Sequence, residues 1–269
     1  MRARPRNFRS NRATCCSCFL TDQPFRLLQI SDCHLSESVA TRYRGKSADA
    51  GLGSLLKAIA AWQPQQILVT GDLSEDASPL AYERLLQALL SLAVPICALP
   101  GNHDEDALMR RYFPAGPWSG PYVGDAGAWQ LVLLKTSIAG RIDGAINPGD
   151  IAVLGSLLGA ASQRPVLIAL HHQPVAVGAA WIDRYMLQEP GELLRLLEAH
   201  EQVRGVVWGH VHQAFASTVG HAQLLSCPSS AANSLPATRQ FEHDPAGPAC
   251  RWLLLHADGM LETGLLHGA

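Results

Sequence analysis

The chain has 269 residues, of which 48% are hydrophobic and 16% are charged, and its formal net charge at pH 7 is −2. This composition argues against disorder and against a basic nucleic-acid-binding surface, and no apolar run reaches the roughly 18 residues of a membrane span. Seven scattered cysteines are typical of a reduced, cytoplasmic protein. We therefore expect a small-molecule substrate, no nucleic-acid partner and no membrane span.

Residues 1–22 differ from the rest of the chain, because they contain five arginines and no acidic residue among the first 21. They lack an apolar segment long enough for a secretory signal, so we predict a disordered basic leader followed by a single domain over residues 23–269. A transit peptide is the alternative interpretation of such a leader. Cys15, Cys16 and Cys18 are not followed by a second ligand pair at zinc-finger spacing, so we predict no zinc site there.

The predicted core elements alternate between strands and helices. Short apolar runs that end in polar turns predict buried strands over residues 25–30, 66–69, 95–99, 166–170 and 203–208. Apolar residues at helical spacing predict helices over residues 50–62, 80–92, 148–161 and 191–200. The first three strands with their two intervening helices predict a parallel, right-handed layer.

The remaining segments contain more turn residues. Seven prolines and glycines interrupt residues 105–128, too many for a long element, so we predict a surface excursion there. A strand is predicted over residues 129–135. After residue 214, short apolar runs separated by turns predict strands that complete a second sheet, at residues 224–225, 252–255 and 261–266.

Metal-capable side chains follow each of the five buried strands. Because ligands bind at the carboxyl ends of strands in open α/β sheets, we expect these side chains to meet at one edge of one sheet. They are Asp32, His34, Asp72, Asn102, His171, His210 and His212. Asp32 and His34 are two residues apart, as are His210 and His212, so on extended backbone each pair points to the same side.

Seven ligands are too many for one ion, whereas two ions that share a carboxylate would use them all. Asp72 is the predicted bridge, since its neighbour Gly71 allows a close backbone approach. Oxygen and nitrogen ligands without cysteine favour two divalent ions of manganese, iron or zinc over calcium or a soft copper site. Cys33, which lies between Asp32 and His34, is predicted to face away from the ions and to pack.

The strings D-C-H, G-D-L-S-E-D, G-N-H-D, H-H-Q-P and G-H-V-H, in this order, resemble the five motif blocks of the calcineurin-like metallophosphoesterase superfamily. Within it, L-Q-I-S-D-C-H-L, T-G-D-L and L-P-G-N-H-D are similar to the bacterial 3′,5′-cyclic AMP phosphodiesterase family. The resemblance spans residues 25–266. It implies an α/β fold, a four-layer αββα sandwich of two mixed sheets flanked by helices. It also implies hydrolysis of cyclic AMP to 5′-AMP by in-line attack of a hydroxide that bridges two metal ions.

The same resemblance implies a role for each candidate site residue. The first ion would be held by Asp32, His34, Asp72 and His212, and the second by Asp72, Asn102, His171 and His210. His172, the second histidine of the H-H pair, would line the pocket or be buried. His103, which lies next to Asn102 and is not itself a predicted ligand, is predicted to be the catalytic general acid or a charged hydrogen-bond donor, with a role only in capping the turn as the alternative. Substrate contacts are implied for His34, Asp72, Asn102, His103, His171 and His212.

Three further expectations concern the surroundings of this site. Asp76, four residues after Asp72, is predicted to orient His103 and to keep it protonated. The polar loop over residues 35–49 is expected to border the substrate through its basic side chains, Arg42, Arg44 and Lys46, with a solvated loop as the alternative. Residues 229–248 match no family string, which makes them a candidate for setting specificity.

Two alternatives to a cyclic nucleotide phosphodiesterase follow from the same motifs. A related metallophosphoesterase would act on glycerophosphodiesters, phospholipid head groups or phosphomonoesters. A catalytically silent scaffold would keep only the fold, but the presence of every predicted ligand together with His103 argues against it.

Overall fold

The computed structural model describes residues 23–160 and 163–268, so the predicted basic leader and its cysteines lie outside the described residues. The strands of the described chain are β1 Phe25–Ile30, β2 Gln66–Thr70, β3 Ile96–Leu99, β4 Tyr122–Ala126, β5 Trp129–Leu133, β6 Val166–Ala169, β7 Val203–Trp208, β8 Phe215–Val219, β9 Ala222–Ser226, β10 Ala249–Leu255 and β11 Leu261–His267. The helices are α1 Ala48–Trp62, α2 Pro79–Leu90, α3 Asp106–Tyr112, α4 Pro148–Gly159, α5 Ala180–Asp183 and α6 Gly191–Ala199.

The strands form two mixed sheets. The first has the order β11-β10-β1-β2-β3 and the second β4-β5-β6-β7-β9-β8. In the first sheet β1, β2 and β3 are parallel, as predicted, while β10 and β11 pair antiparallel beside β1. In the second, β5, β6, β7 and β9 are parallel and the edge strands β4 and β8 are antiparallel. Each sheet therefore has a parallel centre whose strands end at a common edge.

Alternate residues of the central strands enter different apolar cores. Leu27 of β1 and Leu167 of β6 lie in the core between the two sheets. Their neighbours face outwards: Leu28 packs towards α1 and α2, and Ile168 packs towards α4 and α6. Since successive side chains of a strand point to opposite faces, both sheets are covered on both sides. The four-layer αββα sandwich is confirmed.

Local capping explains where three of the main helices begin. The hydroxyls of Ser47 and Ser78 accept the backbone N–H groups at the starts of α1 and α2, and the Asn147 amide oxygen does the same at α4. A proline follows Ser78 and Asn147, as expected for the first position of a helix.

Residues 105–128 contain no long element, as predicted, but they do contain the short elements α3, which the Glu105 carboxylate caps, and β4, which includes Gly124. The prediction that the strands after residue 214 complete the second sheet is wrong for two of them. The strands β10 and β11 join the first sheet, where β1 would otherwise be an unpaired edge, whereas β9 extends the second sheet. Such pairings join residues far apart in the chain, which local patterns do not report. Among the described residues, no helix is both long and apolar enough to cross a membrane.

Candidate metal centre

The predicted ligands come together at the carboxyl ends of strands from both sheets, not at the edge of one sheet as expected. The first sheet contributes Asp32, His34, Asp72 and Asn102, and the second contributes His171, His210 and His212. All except Asn102 are at most 3% exposed. The central strands of both packed sheets end at the same cleft, so this cleft collects donors from both sheets.

The backbone at this cleft is left-handed at non-glycine residues. The φ angles are 52° at Asp32, 44° at His34, 51° at Asp72, 65° at His210 and 50° at His212. The expectation of extended backbone at the two-residue spacings is therefore wrong. Such angles cost on the order of 1–3 kcal/mol each and are typical of functional sites, where the surrounding fold holds them. Cys33, which lies between Asp32 and His34, faces into the apolar core, as predicted.

The first predicted ligand set places two imidazole nitrogens face to face. The Nε2 atoms of His34 and His212 are 3.2 Å apart, and His212 Nε2 is 3.3 Å from Asp32 Oδ1. Each ring uses Nδ1–H elsewhere, in 2.7 Å contacts with the Glu75 carboxylate and the Ala232 carbonyl oxygen. Both Nε2 lone pairs consequently point at one another. A shared cation relieves that repulsion, so this set fits a metal ion.

The second predicted set has the same chemistry. His171 donates Nδ1–H to the Thr70 carbonyl oxygen at 2.7 Å, which turns its Nε2 atom towards Asn102 Oδ1 at 3.3 Å and Asp72 Oδ2 at 3.4 Å. The Nε2 atom of His210 is buried and has no hydrogen-bond partner within residues 23–160 and 163–268. A buried nitrogen without a partner is costly unless a ligand completes it. This set therefore also fits an ion.

Asp72 lies between the two sets. Its Oδ2 atom is 3.7 Å from His34 Nε2 and 3.4 Å from His171 Nε2. Burial disfavours its ionised form, but His171 and His34 hold the pKa of Asp72 well below its usual range. The carboxylate is thus charged and placed to serve both sets.

Two motif glycines permit this crowding. A Cβ atom on Gly71, where φ is +92°, would lie 2.3 Å from His171 Nδ1. A Cβ atom on Gly101 would lie 2.1 Å from Asp72 Oδ1. Any larger residue at either position would displace a predicted ligand, as expected for Gly71 from the sequence.

His103 lies at the cavity with a carboxylate beside it, and that carboxylate belongs to Glu75. Glu75 Oε2 is 3.3 Å from His103 Nδ1, and the same oxygen contacts His34. Burial lowers the pKa of His103, but the negative charges of Asp72 and Glu75 outweigh it and raise the pKa above the ordinary value. The prediction that Asp76 orients His103 is wrong. The Asp76 carboxylate instead accepts the backbone N–H groups of Glu37 and Ser78 and stabilises the local turn.

Sequence reasoning missed Glu75 and also Asp104. The Asp104 carboxylate accepts the backbone N–H groups of Leu73 and Gly101 and the hydroxyl of Tyr82. It therefore ties the loop after β2 to the loop after β3. The sequence did contain a signal for each residue: Glu75 is an acidic residue three positions after Asp72, and Asp104 is the last residue of the G-N-H-D motif.

The structure favours the buried alternative for His172. Its Nε2–H donates to the Ile142 carbonyl oxygen at 3.0 Å, and its Nδ1 accepts the Thr136 hydroxyl at 2.8 Å. Both nitrogens are thus used within the protein. The ring lies 4.8 Å from that of His171 and 4.6 Å from that of His210, measured between centroids. It packs behind two predicted ligands.

A cavity of about 330 Å³ opens above the two sets and is lined by His103, Tyr43 and Arg44, among others. The ring of Tyr43 stacks on His34 with centroids 3.8 Å apart. Of the three basic residues expected to border the substrate, Arg44 lines the cavity, whereas Arg42 and Lys46 are exposed and do not. Of the three, only Arg44 is therefore placed where it could border a substrate in this cavity.

Known proteins share both this sequence and this fold. The chain is 36% identical to the 3′,5′-cyclic adenosine monophosphate phosphodiesterase CpdA of Pseudomonas aeruginosa, over 91% of this chain and 90% of that protein. It is 34% identical to a 3′,5′-cyclic-nucleotide phosphodiesterase of Nostoc sp., over 89% and 91% of the respective chains. A dimetal phosphatase from Danio rerio has the same fold, with a TM-score of 0.71 at 16% identity, over 92% of this chain and 100% of that chain.

A family sequence profile covers most of the chain. The profile of the calcineurin-like phosphoesterase family matches residues 25–214, which include all of the predicted metal ligands. The strands that carry those ligands lie within the same range. This protein therefore belongs to the calcineurin-like phosphoesterase family.

Proposed function

We propose that the chain is a 3′,5′-cyclic nucleotide phosphodiesterase that hydrolyses cyclic AMP to 5′-AMP. The observation that carries the proposal is the convergence of two nitrogen and oxygen donor sets on one carboxylate, Asp72, at the floor of a small cavity. The relatives with 34–36% identity are named as cyclic nucleotide phosphodiesterases, which supports the choice of substrate.

Two divalent cations of iron, manganese or zinc are the cofactors that the donor sets suit. We assign Asp32, His34, Asp72 and His212 to one cation, and Asp72, Asn102, His171 and His210 to the other. When bound, the cations would neutralise the phosphate oxygens and lower the pKa of a water molecule so that it can act as the nucleophile. Substrate contacts are assigned to His34, Asp72, Asn102, His103, His171 and His212.

His103 is the proposed general acid. Its side chain is 34% exposed and lines the cavity, so it can reach a bound phosphodiester. The negative charges of Asp72 and Glu75 raise the pKa of His103 above its ordinary value, which favours the protonated imidazole that a general acid needs. Its remaining N–H then donates to the leaving 3′-oxygen, while Glu75 fixes the ring through Nδ1.

We also propose a cytoplasmic location. The described cysteines are Cys33, Cys97, Cys227 and Cys250, and each is a buried free thiol. Free thiols are typical of proteins in a reducing compartment.

The test compares substrates on one protein preparation, with and without added Mn²⁺. The substrates are cyclic AMP, cyclic GMP, glycerophosphocholine and bis(p-nitrophenyl) phosphate. We expect metal-dependent formation of 5′-AMP, identified by chromatography, and loss of this activity in Asp72→Ala. Faster cleavage of glycerophosphocholine than of either cyclic nucleotide would replace the proposed substrate with the glycerophosphodiester alternative. Absence of hydrolysis of all four would support the silent scaffold.

A further inference from the structure

A cationic and aromatic cluster stands at the mouth of the cavity. The guanidinium carbon of Arg44 lies 4.0 Å from the ring centroid of Phe241 and 5.5 Å from the ring centroid of Trp181. The rings of Trp181 and Phe241 meet edge to face at 5.4 Å. The cluster joins three distant segments: the loop after β1, helix α5 and the segment 229–248. Arg44 and Trp181 line the cavity directly.

Arg44 is held in position by its backbone as well as by its side chain. It occupies a tight turn in which Tyr43 and Lys46 exchange two backbone hydrogen bonds of 2.9 Å. The turn residues Arg44 and Gly45 both have positive φ, 46° and 78°. Such a turn suits glycine and asparagine, so an arginine here pays a conformational cost that a binding role would explain. Its Nε–H also donates to the Tyr43 hydroxyl at 3.2 Å.

We propose that Arg44 and Trp181 form the subsite for the purine base of the nucleotide. Phe241 packs against the guanidinium, whose carbon also lies 5.5 Å from the ring centroids of Tyr43 and Trp181, and the exposed side chain lines the cavity. A flat base that stacks on the guanidinium from the cavity would extend this cluster, with the indole of Trp181 beside it. Planar guanidinium groups and aromatic rings are the side chains on which bases stack.

The charges around Arg44 favour this role over binding of the phosphate. Among the described residues Arg44 forms no ion pair, so no carboxylate neutralises its charge. The phosphate has its own positive partners, namely the two proposed cations and His103 on the cavity floor. A neutral base stacked against the wall then leaves the cyclic phosphate at that floor. This inference rests on the proposed function and specifies which part of the substrate the segment 229–248 helps to recognise.

The test measures binding rather than catalysis, by isothermal titration calorimetry on the metal-loaded protein. The two probes are 5′-AMP and ribose 5-phosphate, which share a sugar phosphate and differ by the base. We expect wild-type protein to bind 5′-AMP about 10-fold more tightly, the usual scale of one stacking contact. Arg44→Lys keeps the positive charge but loses the planar guanidinium group. It should therefore abolish this preference and leave the affinity for ribose 5-phosphate unchanged. Phe241→Leu should reduce the preference.

Arg42→Lys is the matched control, because Arg42 lies on the same loop, is exposed and does not line the cavity. It should keep the wild-type preference. Equal affinities of wild-type protein for the two probes, or a preference that survives in Arg44→Lys, would overturn the subsite. Equal weakening of both probes in Arg44→Lys would assign the side chain to the phosphate instead. A base preference in a protein that does not cleave cyclic AMP would refute the proposed function and leave the subsite standing.

Discussion

At the scale of single residues, Glu75 connects two imidazoles that have different proposed roles. One carboxylate oxygen contacts both His34, a proposed metal ligand, and His103, the proposed acid. Burial disfavours ionisation of Glu75, but the two imidazoles lower its pKa, so it carries a negative charge. That charge fixes the tautomer of one ring and raises the pKa of the other.

Replacing this carboxylate is expected to shift the pH profile of hydrolysis. His103 must be protonated to act, so activity falls as the pH rises through its folded-state pKa. Glu75→Gln removes a charge that raises this pKa, and the alkaline limb of kcat should therefore move to lower pH at saturating metal. Asp76→Asn is the control, since Asp76 contacts the turn and not His103, and it should leave the limb in place. An unmoved limb in Glu75→Gln would show that His103 titrates independently of it.

The effect of removing His103 on the rate of hydrolysis should depend on the leaving group of the substrate. His103→Ala is expected to slow hydrolysis of cyclic AMP by about 10²- to 10⁴-fold, the usual contribution of a general acid. The loss should be much smaller for bis(p-nitrophenyl) phosphate, because nitrophenolate leaves without a proton. Bound metal, measured by elemental analysis, should stay at the wild-type level. Equal losses on both substrates would instead indicate stabilisation of charge on the phosphate.

His172 should make folding sensitive to acid. Burial and the neighbouring charge of His171 lower the pKa of His172 to about 3. Below its unfolded pKa of about 6.5 the unfolded chain therefore binds a proton that the native state does not, and stability falls as the pH is lowered. The slope from one such group approaches about 1.4 kcal/mol per pH unit.

In His172→Gln this contribution is absent, so the loss of stability between pH 6.5 and pH 5 should be shallower than in wild-type protein. Urea unfolding of the metal-free proteins at several pH values measures the difference. His221→Gln, which removes a side chain that is 49% exposed, should follow the wild-type curve. Parallel curves for His172→Gln and wild-type protein would contradict the prediction.

At the scale of elements, β2 carries the site on a strand that is buried on both faces. It pairs with β1 and β3, and its residues alternate between the inter-sheet core and the core under α1 and α2. The strand ends at Thr70, directly before the glycine and carboxylate of the second motif. Packing on both faces gives that turn a rigid base.

A substitution that leaves a cavity beside β2 should lower the free energy of unfolding. Leu68 is fully buried between the sheets, and Leu68→Ala is expected to lower the free energy of unfolding by about 2–5 kcal/mol. Leu90→Ala is the matched control on the adjacent α2, where the leucine is 50% exposed, and should change it by less than about 0.5 kcal/mol. Chemical denaturation of both variants measures the contrast, and similar values for the two would contradict the assigned core.

At the scale of the whole molecule, the candidate site joins the two sheets. Bound ions would link donors of the first sheet to donors of the second, so metal binding should stabilise the whole domain. At a free metal concentration about 1,000 times Kd the gain is about 4 kcal/mol, which corresponds to a rise in Tm of about 10 °C for a domain of this size.

Calorimetric melting with Mn²⁺ and after chelation measures this shift. Asp72→Ala should lose most of it and should be the most damaging change of a single ligand, because both ions lose their shared carboxylate. Glu83→Ala, which removes an exposed carboxylate on α2, should keep the shift. A wild-type Tm that does not respond to the chelator would argue against metal binding by these residues.

The sequence by itself determined the local features of this protein. The runs that became β1 and β7 were predicted with their observed bounds, because short apolar segments between turn residues are a local signal. The caps at Ser78 and Asn147 are equally local. The order of the motifs carried the family, and with it the four-layer fold and the candidate ligands.

Only the tertiary structure decided what depends on distant neighbours. It brought the donor sets together from two sheets, placed β10 and β11 beside β1, and put Glu75 rather than Asp76 against His103. It also gave the ligand turns left-handed backbone where extended strand ends were expected. Each of these outcomes follows from packing between segments far apart in the chain, and local residue patterns contain no record of such contacts.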